Sequence, residues 1–180
     1  MEITKTQFEG LLVIQPKVFR DNRGYFFESY KKNTFSEIGI KMDFVQDNES
    51  LSQKNVLRGL HFQNHPFAQS KLVRVIKGSV LDIVVDIRKK SPAYGKSFSL
   101  ELTEENKTML YIPIGFAHGF VTLEDETIFS YKCSEVFNKE SEDCILWNDS
   151  DLKIDWRISN PILSEKDKTG KRFKDFNSLF

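Results

Sequence analysis

Short runs of β-branched and aromatic residues, separated by turn residues, recur along this 180-residue chain and restrict the folds it can adopt. Examples are "GLLVIQPKVF" at 10–19, "GYFFESY" at 24–30 and "LDIVVDI" at 81–87. Such runs favour strands, and the Gly, Asn, Asp and Pro residues between them favour turns. About ten short strands with a turn signal roughly every 8–12 residues predict a sandwich or a barrel.

We favour an all-β jelly-roll barrel with a few short helices, formed as one domain over residues 1–180. Gly78 in "IKGSV" suits a tight hairpin, and the continuous Ile/Val centre of 81–87 indicates a strand covered on both faces. Short helices are expected at 33–39, where Thr34 and Glu37 would form a capping box, and in "SEKDK" at 164–168. No repeat or linker divides the chain.

The composition excludes several classes of protein. Lys+Arg and Asp+Glu are 26 each, and this balance argues against a general nucleic-acid binder. No apolar run approaches the roughly 18 residues that span a bilayer, and "MEITKTQFEG" lacks the pattern of a signal peptide. Cys133 and Cys144 have no zinc-binding neighbours, so we interpret them as small apolar residues in a reducing compartment. We expect a cytoplasmic protein with no membrane partner.

A histidine-rich stretch, "LRGLHFQNHPFAQSKL" at 57–72, raises the question of a metal site. Together with "PIGFAHGF" at 113–120 it resembles the paired motifs of the cupin jelly roll, whose metal-binding members offer His-x-His and then a glutamate. Here those positions hold His61, Gln63 and Lys71. An amide is a poor replacement for an imidazole, and an ammonium would repel a divalent cation. We therefore predict a site without a metal.

The same residues suit proton transfer. If His61, Lys71 and His118 face the interior, a neutral base lies beside a cation, and this pair can remove a proton next to a carbonyl group. The ammonium would stabilise the charge that develops on the carbonyl oxygen. Tyr131 in "TIFSYKC" is a candidate donor that returns the proton from the opposite face.

From spacing alone, structural roles stay open for all of these residues. A lone strand tyrosine or histidine is more often part of the core. Arg58 could be the partner of a surface charge, and Asp167 could be the third residue of a capping box in "SEKD".

The order of the motifs along the chain helps to distinguish between the structural and the catalytic roles of these residues. Over residues 8–168 the chain resembles the dTDP-4-dehydrorhamnose 3,5-epimerase family. The resemblance is specific because eight separated motifs occur in the order and spacing of that family: "FRDNRGYFFESY", "VQDNES", "VLRGLHFQ", "AQSKLVRVIKGSVLDIVVDIRKKSPAYG", "YIPIGFAHGF", "FSYKC", "LWND" and "ILSEKD".

The resemblance implies a metal-free cupin jelly roll, without a cofactor, that forms a homodimer by exchanging an N-terminal strand. The implied reaction inverts C3 and C5 of dTDP-4-dehydro-6-deoxy-D-glucose and gives dTDP-4-dehydro-L-rhamnose, in dTDP-L-rhamnose biosynthesis. His61 matches the family's base and Asp167 the carboxylate that orients it. Lys71 matches the residue near the C4 oxygen, and Tyr131 matches the general acid.

The resemblance also implies a substrate-binding set. An aromatic ring can stack on the thymine, a guanidinium can pair with a phosphate, and amides can contact the base and the sugar. The first three matching residues are expected from the neighbouring subunit. The set is Arg23, Phe26, Glu28, Gln46, Asn48, Arg58 and His118.

Three alternatives remain at this point. A mono-epimerase acting at C3 or C5 of a related dTDP-4-keto-deoxysugar would keep the same fold and residues. A non-catalytic sugar-nucleotide-binding cupin would need His61, Lys71, Tyr131 and Asp167 only by accident. A metal-dependent dioxygenase would need metal ligands at positions that here hold an amide and an ammonium.

Overall fold

The structure, a computed structural model, describes residues 1–180 and contains thirteen strands, two α-helices and one 3₁₀ helix. The helices are α1 (Lys32–Glu37), α2 (Glu165–Lys168) and the 3₁₀ turn Phe173–Asp175. The strands are β1 (Glu2–Lys5), β2 (Leu12–Gln15), β3 (Phe19–Asp21), β4 (Gly24–Phe26), β5 (Gln46–Ser52), β6 (Leu57–Gln63), β7 (Lys71–Lys77), β8 (Ser79–Asp86), β9 (Ser97–Thr103), β10 (Met109–Ile112), β11 (Phe116–Thr122), β12 (Thr127–Cys133) and β13 (Glu142–Cys144).

Eleven of these strands form two antiparallel sheets. A six-stranded sheet has the order β1-β2-β10-β7-β12-β5, and a five-stranded sheet has the order β13-β6-β11-β8-β9. Strands β3 and β4 form a separate hairpin. The all-β jelly-roll prediction is confirmed, and helical structure is limited to short segments.

The apolar core lies where the two sheets cover each other. All eight residues of β8 are buried, as the continuous Ile/Val run predicted. Phe116 and Phe120 of β11 pack with Val75 and Phe129 of the opposite sheet. A second cluster, behind the five-stranded sheet, includes Trp156 and Phe176, so the C-terminal segment closes that side of the barrel.

The structure departs from the sequence prediction at three places. The tight hairpin at Gly78 is wrong, because β7 and β8 on either side of it lie in different sheets and do not pair. Strand β1 was not predicted, because "EITK" is short and mostly exposed. The capping box at Thr34 and Glu37 is wrong: α1 starts after Lys31, which makes no side-chain cap, and Thr34 lies inside the helix. The buried ring of Phe35, which contacts Tyr30, fixes this helix instead. At α2 the prediction holds, since Ser164 Oγ accepts a hydrogen bond from the Asp167 amide.

Two further features of the structure concern membrane-spanning segments and the cysteines. No helix in the structure has the length and apolar character needed to cross a membrane. Cys133 and Cys144 are both buried and free, so they do not pair with each other.

Strands β6 and β11 approach closely because two glycines face each other across them. A Cβ atom on Gly119 would lie 2.8 Å from the Arg58 carbonyl oxygen and 3.0 Å from Gly59 Cα. Gly59 adopts a φ of 141°, which L side chains rarely adopt. This approach sets the register that places His118 opposite His61.

Gly119→Ala should therefore destabilise the protein by about 1–3 kcal/mol, because the added methyl group meets backbone atoms that cannot move aside cheaply. Urea unfolding measures the effect, with Ser99→Ala on the exposed edge strand β9 as a control that should change stability by less than about 0.5 kcal/mol. Equal stabilities of the two variants would show that β6 and β11 are not held at this separation.

Candidate active site

Two adjoining cavities open between the sheets, with volumes of ≈ 320 and ≈ 310 Å³. Four residues line both of them: His61, Lys71, Tyr131 and Glu142. Three of these four were predicted from the sequence. The barrel therefore brings the predicted base, cation and acid to one place.

These side chains enter the cavity from opposite walls. His61 belongs to β6 in the five-stranded sheet, whereas Lys71 and Tyr131 belong to β7 and β12 in the six-stranded sheet. Facing sheets pack about 10 Å apart, a separation that can hold a sugar ring between them. A ring bound there would have the imidazole and the phenol on different sides.

A buried carboxylate orients the imidazole of His61. Asp167 Oδ1 lies 2.6 Å from His61 Nε2 and also accepts the Gly59 amide hydrogen bond at 3.2 Å. Asp167 Oδ2 accepts a hydrogen bond from Ser164 Oγ at 2.6 Å. An ionised carboxylate only accepts, so Nε2 carries the proton and Nδ1 keeps a free lone pair.

Burial and hydrogen bonding set the charges of this pair. Burial would raise the pKa of Asp167, but the hydrogen bonds from His61, Ser164 and Gly59 outweigh it and lower that pKa. Burial lowers the pKa of His61, and the Asp167 hydrogen bond offsets this only in part. At neutral pH the carboxylate is therefore ionised and the imidazole is neutral, as a general base requires.

The opposite wall carries an acid and a cation. Burial raises the pKa of Tyr131, so its phenol stays protonated at neutral pH. Burial lowers the pKa of Lys71, whose Nζ lies 5.9 Å from the centre of the Tyr131 ring. A poorly solvated ammonium interacts strongly with an anion that forms beside it.

His118 is held by a buried carboxylate and by an aromatic neighbour. Its Nε2 lies 2.8 Å from Asp82 Oδ2, both residues are buried, and its ring stacks near Phe129 at 6.2 Å. The sequence predicted His118 as a pocket residue, and the structure places it in the cavity with His61. Asp82 was not singled out in the sequence, since a lone Asp in an apolar strand gives no signal of its partner.

The predicted binding residues divide into two groups. Gln46 and Asn48 line one of the two cavities, where Gln46 Nε2 donates a hydrogen bond to Asn48 Oδ1 at 3.0 Å. Arg58 lines the other cavity. Arg23 and Phe26 instead lie on the exposed β3–β4 hairpin, in a separate hollow that the cavity does not reach.

Glu28 follows the same hairpin and is outside the cavity as well. The guanidinium of Arg23 pairs with Asp21 at 2.6 Å and is exposed. Within one chain the predicted binding set is therefore incomplete.

The donor groups around His61 do not suit a metal ion. His61, Cys144 and Asp167 have potential ligand atoms within 4.8 Å of one another. However, burial raises the pKa of Cys144 to about 12, which keeps the thiol protonated, and Nε2 of His61 is already bonded to Asp167. The amide of Gln63 is committed to the backbone of Phe67, Val136 and Asn138.

Sequence reasoning missed the ion pair between Glu142 and Lys166, which lies at the cavity wall. Lys166 adjoins Asp167 in the quoted "SEKD" motif, so its position in that motif was an available signal. Glu142 follows an irregular segment and carries no local pattern. Both side chains add charge close to His61.

Comparisons with known proteins agree with this geometry. Residues 5–175 match the family model of dTDP-4-dehydrorhamnose 3,5-epimerase. A protein of that name from Shigella flexneri is 50% identical over 176 residues, covering 97% of each chain. The chain belongs to the dTDP-4-dehydrorhamnose 3,5-epimerase family.

Solved structures lead to the same family. The crystal structure of dTDP-4-dehydrorhamnose 3,5-epimerase from Elizabethkingia anophelis superposes with a TM-score of 0.94 at 49% identity and covers 99% of each chain. The dTDP-6-deoxy-D-glucose-3,5-epimerase from Legionella pneumophila, in complex with dTDP-4-keto-L-rhamnose, superposes with a TM-score of 0.94 at 44% identity, and the match covers 98% of this chain and 94% of that chain. The family, the jelly-roll fold and the epimerase activity expected from the sequence are thereby confirmed.

The charge state of His61 predicts the pH dependence of this epimerase. With His61 as the predicted base, the active form is the neutral imidazole, and kcat/KM should rise with pH through a pKa below the ordinary value of about 6.5. A pH–rate profile with an acid limb above about 7 would contradict this assignment.

Asp167→Asn tests the orienting carboxylate. An amide can donate to Nε2 and favour the wrong tautomer, so kcat should fall by roughly 100-fold or more. The acid limb should also move to lower pH, because the negative charge that favours the imidazolium is gone. Ser164→Ala removes only one support of the carboxylate and should cost less than Asp167→Asn in the same assay. Unchanged kcat in Asp167→Asn would exclude the orienting role.

Proposed function

We propose that this epimerase inverts C3 and C5 of dTDP-4-dehydro-6-deoxy-D-glucose with His61 as base, Tyr131 as acid, Lys71 at the C4 oxygen and Asp167 as the orienting carboxylate. One observation carries the proposal: the neutral imidazole and the protonated phenol line one cavity from opposite sheets. Inversion requires proton removal and proton return on opposite faces of the sugar ring.

In each inversion the base removes a carbon-bound proton next to the C4 ketone. Nδ1 of His61 takes the proton, the C–H electron pair forms the new double bond to C4, and the π electron pair of the C4 ketone moves onto its oxygen. The ammonium of Lys71 stabilises this enolate. Tyr131 then donates its phenolic proton to the same carbon from the other face. Proton exchange with solvent restores the imidazole and the phenol before the second centre reacts.

The substrate-binding roles follow the cavity. We assign Gln46, Asn48, Arg58 and His118 to binding, because they line the walls next to the reacting groups. The dTDP-linked 4-keto-6-deoxy sugar is the proposed substrate, and dTDP-L-rhamnose biosynthesis is the proposed use of the product. We place the enzyme in the cytoplasm, a placement supported by two buried cysteines that remain free thiols.

Solvent deuterium incorporation tests the base and the acid separately. The purified enzyme should exchange the C3 and C5 hydrogens of the substrate with ²H₂O without added metal. His61→Ala should lose both exchange and inversion. Tyr131→Phe should retain exchange to a greater degree than inversion, since abstraction precedes the proton return.

NMR spectroscopy of the recovered sugar nucleotide reads both outcomes and also separates double from single epimerisation. Inversion at one centre alone would support the mono-epimerase alternative. His65→Ala, a histidine outside both cavities, is the matched control and should behave like the wild type. Full exchange by His61→Ala would reject His61 as the base.

We also propose a homodimer in which the β3–β4 hairpin of one chain completes the cavity of its partner. The hairpin exposes Phe19, Tyr25 and Phe26 at 53%, 50% and 69%, and water-exposed aromatic residues in a group are typical of interaction surfaces. It also carries Arg23, which lies in the hollow of the hairpin and lines neither of the two cavities around His61. In this chain β1 pairs with its own β2, so exchange of the N-terminal strand stays a prediction.

Mixed dimers test this shared site. His61→Ala and Arg23→Ala chains, each impaired alone, should regain activity when they are unfolded together and refolded. A mixed dimer places both lesions in one site and leaves the other site intact, so about one quarter of the wild-type activity is expected. Mixing two separately folded batches is the control. No recovery, with mixed dimers shown by mass spectrometry, would place Arg23 in the site of its own chain.

A further inference from the structure

Strand β5 presents a row of polar side chains to the barrel interior. Its residues alternate between half-buried or buried and exposed positions, with Gln46, Asn48, Ser50 and Ser52 facing inward. An inward strand face in a barrel is ordinarily apolar, because buried polar groups need partners. Each of these four inward-facing polar side chains therefore needs a hydrogen-bond partner.

Three of the four have partners within the protein. Gln46 accepts a hydrogen bond from the Phe137 amide at 2.8 Å, and Asn48 Nδ2 contacts Cys133 Sγ at 3.7 Å. Ser52 Oγ accepts hydrogen bonds from Arg58 Nε and Nη2 at 3.4 and 3.2 Å. Ser52 thus aims the Arg58 guanidinium toward the cavity.

Ser50 is different, because its hydroxyl is buried and has no hydrogen-bond partner. It lines the same cavity as Arg58, His61 and Tyr131. A buried hydroxyl without a partner costs stability, since its hydration is lost and nothing replaces it. A ligand in the cavity that supplied the missing partner would remove this cost.

We propose that the Ser50 hydroxyl binds an oxygen of the hexose ring of the substrate, next to Arg58, and helps to hold the ring between His61 and Tyr131. The inference rests on the proposed function, since that cavity is where the reacting sugar would lie. The hexose is assigned in preference to the nucleotide because Ser50 lines the cavity that also contains Asp167, whereas Gln46 and Asn48, the predicted contacts of the base and the sugar, line the other cavity. Ser50 is a substrate-binding residue in this account, and Ser52 is a positioning residue that acts through Arg58.

Three measurements on Ser50→Ala test the proposal. KM for the 4-keto sugar nucleotide should rise about three- to tenfold, the loss expected for one neutral hydrogen bond, while the Kd of dTDP alone should stay within about twofold. Thermal stability of the ligand-free variant should be unchanged or higher, because the unpartnered hydroxyl is gone. Ser50→Cys, of similar volume but a weak donor, should show the same rise in KM. Ser99→Ala on β9 is the matched control.

Each contrary outcome has one meaning. If KM is unchanged in an active Ser50→Ala variant, the hydroxyl does not bind the substrate. If KM and the Kd of dTDP rise together, Ser50 contacts the nucleotide and the hexose assignment is wrong. A loss of thermal stability would indicate a structural role. A wild-type enzyme that fails to form the epimerised product overturns the proposed function itself, before any variant is compared.

Discussion

The proposed chemistry of this site depends on one partly buried hydrogen bond, between His61 Nε2 and Asp167 Oδ1 at 2.6 Å. It links a strand in the middle of the chain with a short helix near its end. The carboxylate is in turn held by the Gly59 amide and by Ser164. Through these contacts the fold fixes the tautomer of the imidazole, and the tautomer decides which ring nitrogen can act as the base.

The two-sheet architecture supplies the second requirement of an inverting enzyme. A base and an acid on one strand would approach a bound sugar from the same side. In this barrel His61 stands on the five-stranded sheet, and Tyr131 and Lys71 stand on the six-stranded sheet. The close approach of Gly59 and Gly119 sets the position of β6 against β11 and therefore the position of the base. Packing between these glycines thus helps to place His61.

Most strands could be predicted because β-branched runs and turn residues are local signals, and β8 illustrates this well. Strand β1 and the cap of α1 could not, since a polar strand at the edge is fixed by pairing with β2 and the helix by burial of Phe35. In the site, His61, Lys71 and Tyr131 were found through motifs. Glu142 and Ser50 were missed because their roles depend on contacts between distant segments.

For the residues of the β3–β4 hairpin and Glu28, the sequence prediction differs from their position in a single chain. Arg23, Phe26 and Glu28 were predicted as substrate-binding residues, and in one chain they lie away from the cavity. Their expected place depends on a second chain, so neither local sequence nor the fold of a single chain determines it. The exposed aromatic side chains of the hairpin are the physical reason to expect that partner.

The central claim is that His61 is a neutral imidazole with its proton on Nε2, held there by Asp167. ¹⁵N NMR spectroscopy of histidine-labelled protein, with His61 assigned by comparison with His61→Ala, measures this directly. We expect a protonated Nε2 and an unprotonated Nδ1 at pH 7, with conversion to the imidazolium only below the ordinary pKa of about 6.5. A proton on Nδ1 of neutral His61, or an imidazolium at pH 7, would contradict it.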